Sequence, residues 1–206
     1  MAFRLVCLLI GYAFGCFQTS YIVGRLAKGI DIREHGSKNA GMTNSFRVMG
    51  RKAGAVVFLG DILKTLLAFF VASCLYDGDM FAGAYVLPGL YAGLGAVLGH
   101  NFPFFLKFKG GKGISATLAV MLGIYWQSAL IVYTLGFFTI AATRYISLAS
   151  LLMTAAAPVL FWVFGQDLET VIVSAVMGVM AWVMHRENIK RLLSGTENKF
   201  SLKGKK

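Results

Sequence analysis

Residues 113–143 read GISATLAVMLGIYWQSALIVYTLGFFTIAAT, thirty-one positions without a single Asp, Glu, Lys or Arg. One helix of that length would reach about 47 Å at 1.5 Å per residue. A bilayer core is roughly 30 Å thick, so a single crossing would need steep tilt. The set Tyr125-Trp126-Gln127-Ser128 lies near the middle and predicts a break there, with aromatics at a membrane interface. Working outward, charge-free runs recur at 5–24, 80–106 and 145–166.

These runs define the class. The chain has 206 residues, 57% of them hydrophobic and 14% charged, with mean hydropathy +0.69. Soluble domains carry about 25% charged residues. The composition predicts an all-α polytopic membrane protein, one compact domain over 1–206, with no linker or low-complexity tract. Expected spans are about 4–25, 53–75, 80–103, two short helices within 113–143, 146–164 and 169–185, seven in all. The first run has no small-residue cleavage site after it and reads as a retained helix. Cys7, Cys16 and Cys74 lie in apolar runs without C-x-x-C spacing, which predicts packed free thiols and neither a disulfide nor a metal site.

Charge gives the orientation. With seven spans, eighteen of the twenty Lys and Arg residues fall on one side, in 25–52, 107–112, Arg144 and the C-terminal tail. Asp77, Asp79, Asp167 and Glu169 fall on the other, and only Arg4 and the intramembrane Lys64 break the pattern. Positive-inside sorting then puts the basic loops and the C-terminus in the cytoplasm and the N-terminus outside. The competing count, five spans with 113–143 as one helix, disturbs that sorting. The net charge of +11 sits in loops between spans, so topology and anionic ligands explain it better than nucleic acid does.

Four segments carry polar residues that a membrane scaffold does not need. The loop GSKNAGMTNSFRVMGRK, 36–52, offers Ser37, Asn39, Gly41, Thr43, Asn44 and Arg47. Glycines let backbone N–H groups converge on an anion, hydroxyls and amides complete its shell, and arginine grips phosphate through two hydrogen bonds. An ordinary solvated loop is the alternative. Asp61 and Lys64 stand i, i+3 on one helix face inside the membrane. Such residues read as functional candidates, or as a buried pair that fixes packing.

The third segment is GHNFPFFLKFKGGKG, 99–113, with His100, Lys109, Gly110, Gly111 and Lys112. It is no Walker A loop: Leu106 stands five before Gly111, and Gly113 follows Lys112. A lysine at the start of a helix still suits phosphate, because unpaired N–H groups and the positive dipole end meet there. The fourth segment is MHRENIKRLLSGTENKF, 184–200. His185 and Asn188 stand i, i+3, and Glu187 and Arg191 i, i+4. A basic tail lying on anionic lipid is its plain alternative. All four fall on the same predicted side, which points to a cytoplasmic pocket for a phosphorylated small molecule beside the acyl region.

Four motifs in order carry a resemblance. Gly36-Ser37-Lys38-Asn39-Ala40-Gly41-Met42-Thr43-Asn44 with Arg47, Asp61 with Lys64, Gly99-His100-Asn101-Phe102-Pro103 with Phe108 through Gly113, and His185 through Glu197 span nearly the whole chain. Together they resemble the bacterial acyl-phosphate:glycerol-3-phosphate acyltransferases, the PlsY family. Departures from that family's pattern are Lys38 and Met42, where Gly and Ala are usual, Thr65 for Gly, and Ile114-Ser115-Ala116 for V-A-T. Neither His100 nor His185 begins the H-x-x-x-x-D motif of other glycerolipid acyltransferases.

The resemblance implies a seven-span inner-membrane enzyme that moves a fatty acyl group from acyl-phosphate to the 1-hydroxyl of glycerol-3-phosphate. Lysophosphatidic acid and inorganic phosphate would be the products, in the first acylation step of phospholipid synthesis. It implies no cofactor and no metal. The partners would be the two substrates and the bilayer, with no nucleic acid. Expected catalytic residues are Ser37, Arg47, Lys112, His185 and Asn188. Expected substrate or phosphate contacts are Asn39, Gly41, Thr43, Asn44, Asp61, Lys64, His100, Lys109, Gly110, Gly111 and Glu197. His185 is the side-chain candidate for accepting the hydroxyl proton, with a substrate phosphate as the alternative. A covalent acyl-Ser37 lacks an evident base partner. A transporter for a phosphorylated solute is the rival reading, but a path needs polar residues on both sides. A lipid-binding scaffold leaves the Gly/Asn/Ser loop unexplained.

Overall fold

The computed structural model describes residues 1–77 and 86–201, and every regular element in them is helical. The expected start of the third span near residue 80, Asp79 and the last three lysines lie outside the described residues. The helices form two compact units, one of residues Met1–Gly123 and one from Ile124 onward. The predicted break in the 113–143 run falls at the boundary. Tyr125 is extended, with φ −153° and ψ 97°, between α6 (Ile114–Ile124) and α7 (Trp126–Thr143).

In the first unit, the expected span over 4–25 is present as Ala2–Lys28, interrupted at Phe17-Gln18 into α1 (Ala2–Cys16) and α2 (Thr19–Lys28). The chain opens at Phe17-Gln18, where Lys64 Nζ donates to Phe17 O at 2.8 Å and to Gly15 O at 3.2 Å. Gln18 Nε2 donates to His100 O at 3.0 Å. The released carbonyls are therefore satisfied from other helices, which is the condition for breaking a helix at membrane depth. Next come α3 (Met42–Met49), α4 (Arg51–Asp77) and α5 (Val86–Asn101).

Helices α1 and α5 cross at backbone contact. A Cβ on Gly11 or Gly15 would collide with Ala92 O or Ala96 O, and one on Gly95 or Gly99 with Leu8 O or Tyr12 O. Lipid tails supply no hydrophobic force between helices, so close approach of small residues is the source of association. The core here is accordingly small: Cys7, Ala68, Ala72, Ala92 and Ala96. Cys7 and Cys16 are buried free thiols as expected, whereas Cys74 is exposed.

The second unit packs α7 on α8 (Ile146–Val163), α8 on α9 (Leu168–Met184), and the short α10 (Arg186–Leu193) against both. Asp167 caps α9, accepting from Thr170 N at 2.9 Å and Thr170 Oγ1 at 2.7 Å. At His185 the chain bends by 62° into α10. Glu187 and Arg191, spaced i, i+4, are not partners: Glu187 pairs with Lys190 at 3.2 Å, and Arg191 turns to Glu197.

Four stretches among the described residues are long and apolar enough to span a membrane, α1 with α2 as one, then α4, α7 and α8, or five if α9 and α10 count as one bent span. The described part of α5 has 16 residues and α6 has 11, so this measure does not reach seven.

Candidate active site

The 36–52 loop is organised by Asn44. Its buried amide donates to Ile32 O at 3.1 Å and His35 O at 2.9 Å, and its Oδ1 accepts from Ser37 N at 2.8 Å. Both amide hydrogens and the oxygen are thus spent on backbone, and Asn44 holds the loop rather than offering a ligand atom. Gly36 makes this possible with φ +59°; a Cβ there would strike Asn44 Oδ1. The Ser37 side chain is left exposed, and Asn39 is half-buried beside Gly41. Gly41 is the N-cap of α3 and brings no side-chain cap, so the first N–H groups of α3 are not met by one. Thr43 stands on the first turn of α3, and exposed Arg47 stands one turn later.

A second loop lies against this one. Gly110 N donates to Asn101 O at 3.1 Å and Gly111 N to His100 O at 3.0 Å, which lays the glycines along the end of α5. A Cβ on Gly111 would collide with His100 Nε2 and lie 2.7 Å from Ala40 O. Gly111 therefore sits between the His100 ring and the Ser37–Gly41 turn, a fit only glycine allows. Half-buried Lys112 follows, and Gly113 O accepts from Thr117 N at 2.8 Å to open α6. Lys109 lines a neighbouring cavity with Asp31 and Arg33.

Beneath the glycines lies the intramembrane polar cluster. Lys64 Nζ stands 2.9 Å from Asp61 Oδ1 and 3.0 Å from His100 Nδ1. Thr19 Oγ1 donates to Asp61 Oδ1 at 3.1 Å. With the carbonyls of Gly15 and Phe17, four acceptors share the three N–H groups of the Lys64 ammonium. When Lys64 donates to Nδ1, His100 carries its proton on Nε2. All three residues are under 5% exposed. They pin the α1–α2 break, α4 and the end of α5 together, and so support the glycine loop from below. Gln18 and Thr19 were missed from sequence, although a polar pair inside a charge-free run is itself a signal.

Arg33 was also missed. Its guanidinium takes Asp31 at 2.6 and 3.0 Å and donates to Leu106 O at 3.0 Å, which ties the 31–41 loop to the 104–110 loop. The Arg33 guanidinium holds the Asp31 carboxyl below the usual carboxylate range, while burial works the other way.

The remaining candidates belong to the second unit. His185 is 4% exposed, and its Nδ1 lies 2.7 Å from Ala181 O. A carbonyl only accepts, so Nδ1 is the donor in this bond. Glu197 is gripped twice: Oε1 accepts from Asn188 Nδ2 at 2.8 Å and Oε2 from Arg191 Nε at 2.7 Å. That fixes the flip of the Asn188 amide. Among the described residues no group of three His, Cys, Asp or Glu side chains has the arrangement of a metal site.

Buried ionisable residues and apolar helices define the class first: a multi-pass α-helical membrane protein. A family model described as Glycerol-3-phosphate acyltransferase matches residues 5–195. The chain is 44% identical over 200 residues to the glycerol-3-phosphate acyltransferase of Alkaliphilus metalliredigens, covering 97% of each. It is 36% identical over 195 residues to that of Clostridioides difficile, covering 95% of this chain and 94% of the relative. The crystal structure of PlsY, an integral membrane glycerol 3-phosphate acyltransferase in its glycerol 3-phosphate form, superposes with TM-score 0.86 at 33% identity over 96% of each chain. The lysophosphatidic acid form of PlsY superposes with TM-score 0.84. The chain belongs to the glycerol-3-phosphate acyltransferase family.

Proposed function

We propose that the chain transfers a fatty acyl group from an acyl-phosphate to the 1-hydroxyl of glycerol-3-phosphate, releasing lysophosphatidic acid and inorganic phosphate. Acyl transfer to glycerol-3-phosphate follows from membership of the family. The donor, the residue roles and the orientation are our reading. The hydroxyl oxygen attacks the acyl carbonyl carbon, the carbon–oxygen bond to phosphate breaks, and the hydroxyl proton leaves to a base. Both substrates carry phosphate, so the chemistry calls for cations and N–H donors at a membrane edge. The observation that carries the reading is the approach of Gly111 to Ala40 O, which joins the Ser37–Arg47 segment to the Lys112 loop.

In the first unit, Ser37, Arg47 and Lys112 hold phosphate, with Asn39, Gly41 and Thr43 around it. Asn44, Gly110 and Gly111 shape the loops, and Asp61, Lys64 and His100 support them. In the second unit, His185 is the side chain that receives the hydroxyl proton, and Asn188 positions substrate. Acyl-phosphate is already activated, so positioning and electrostatics supply much of the rate. Seven spans in an inner membrane, with the C-terminus cytoplasmic, complete the proposal on the charge sorting described above.

His185→Ala and Ser37→Ala, assayed in purified form, test the roles. A side-chain base predicts a loss of about 10²–10⁴-fold for His185→Ala. Near-normal turnover would assign the proton to a substrate phosphate instead. Accumulation of acyl-protein on Ser37 would contradict direct transfer.

A further inference from the structure

Four described non-glycine residues have left-handed backbone, and three of them cluster: Lys38 at φ 60°, Lys107 at φ 55° and Phe108 at φ 59°. Side chains other than glycine adopt this region at a cost. Lys38 and Lys107 are far apart in sequence, yet they line the same cavity of about 520 Å³. Arg33 forms part of the wall by bridging Asp31 to Leu106 O. The lining holds four cations, Arg33, Lys38, Lys107 and Lys109, against two carboxylates, Asp31 and Glu34, a surplus of two positive charges. Asp31 is already occupied by Arg33 at 2.6 Å, and Arg25 stands 3.7 Å away. The three lysines are exposed to solvent. Beside it stand exposed aromatic rings: Phe104 at 63%, Phe105 at 49% and Phe108 at 60%.

We propose that this cavity is a second anion site, which takes the phosphate-monoester headgroup of a single-chain lipid while Phe104, Phe105 and Phe108 lie against its chain. The site goes beyond the acyl-transfer reading and needs no turnover. Three lysines meet the dianionic head, and aromatic rings suit the interface between headgroup and chain. Lysine stands where glycine would relax the backbone at two positions of one cavity, which supports a use for its charge there.

The test uses full-length protein in nanodiscs of phosphatidylcholine, titrated with lysophosphatidic acid, with inorganic phosphate as the soluble arm and lysophosphatidylcholine as the zwitterionic control. Stoichiometry is read by native mass spectrometry and affinity by calorimetry. Wild type should bind two equivalents of lysophosphatidic acid. Lys38→Gly/Lys107→Gly suits the left-handed backbone and should keep its Tm, but should bind one equivalent, or the second at least tenfold more weakly. Lys38→Arg/Lys107→Arg should keep both. If inorganic phosphate also loses its second equivalent in the glycine variant, the phosphate group alone is the ligand. If only the lipid does, the chain is required. Unchanged stoichiometry and affinity in the glycine variant, a single equivalent in wild type, or equal binding of lysophosphatidylcholine would overturn the site.

Discussion

Lys64 Nζ stands 3.0 Å from His100 Nδ1 and 2.9 Å from Asp61 Oδ1, and the same ammonium closes the carbonyl ends of α1. One side chain thus holds three helices at the point where the glycine loop rests. Lys64→Leu would leave the Asp61 carboxylate buried at 1% exposure without its charge partner. Removing one member of such a pair costs about 3–5 kcal/mol. The expected outcome is a large drop in Tm in detergent, with Asp61→Asn/Lys64→Leu less damaged than Lys64→Leu alone. Additive losses in the double variant would show that the two charges are not coupled.

Gly111→Ala tests the loop itself. The added methyl has no space between His100 Nε2 and Ala40 O, so the Lys112 loop or the Ser37–Gly41 turn must shift. A fall of at least tenfold in kcat/KM, about 1.4 kcal/mol of transition-state binding, is expected. Gly29→Ala, strained by its φ of +66° but with nothing within 4 Å of the new Cβ, should lower Tm and leave kcat/KM near wild type. Equal kinetics for the two variants would remove the loop contact from the mechanism.

The break at Tyr125 was legible because length alone forbids one straight helix over 113–143. The break at Phe17-Gln18 was not. Its opened carbonyl is met by Lys64, 47 positions away in the chain, and no local stop signal such as proline marks it. The candidate site shows the same division. Residue types suited to phosphate could be recognised in the 36–52 and 107–113 loops. That Asn44 spends its amide on Ile32 O and His35 O depends on a tertiary turn and could not be read. Glu187 offered a ready i, i+4 partner for Arg191, but the turn at Gly195, with φ +70°, returns Glu197 to take that place.

Glu197→Gln probes how Asn188 is oriented. A carboxylate accepts from both Asn188 Nδ2 and Arg191 Nε, whereas an amide offers one oxygen and one NH₂. One of the two bonds must fail. The Asn188 amide then loses its fixed flip, and kcat should fall about tenfold, with Tm lowered by the loss of a charge-assisted hydrogen bond worth about 1.5–3 kcal/mol. A lower Tm with unchanged kcat would make Glu197 purely structural.

Acid should weaken the Arg33 latch. The folded-state pKa of Asp31 is lowered, chiefly by its hydrogen bonds to Arg33. Its contribution is therefore complete above the ordinary aspartate pKa of about 3.9 and is lost as pH falls through the lowered folded value. Asp31→Asn should be less stable than wild type at pH 6 by about 1 kcal/mol, and the gap should begin to narrow only below about pH 3.9. Tm curves that stay parallel over that range would contradict the pairing.

Direct acyl transfer from acyl-phosphate to glycerol-3-phosphate can be measured in a two-substrate assay. Purified protein in detergent or nanodiscs, given both substrates and no other acyl donor, should form lysophosphatidic acid with one equivalent of inorganic phosphate released per product, and Lys112→Ala should abolish it. No product with acyl-phosphate, together with uptake of glycerol-3-phosphate into sealed liposomes containing the protein, would contradict the account and favour a transporter.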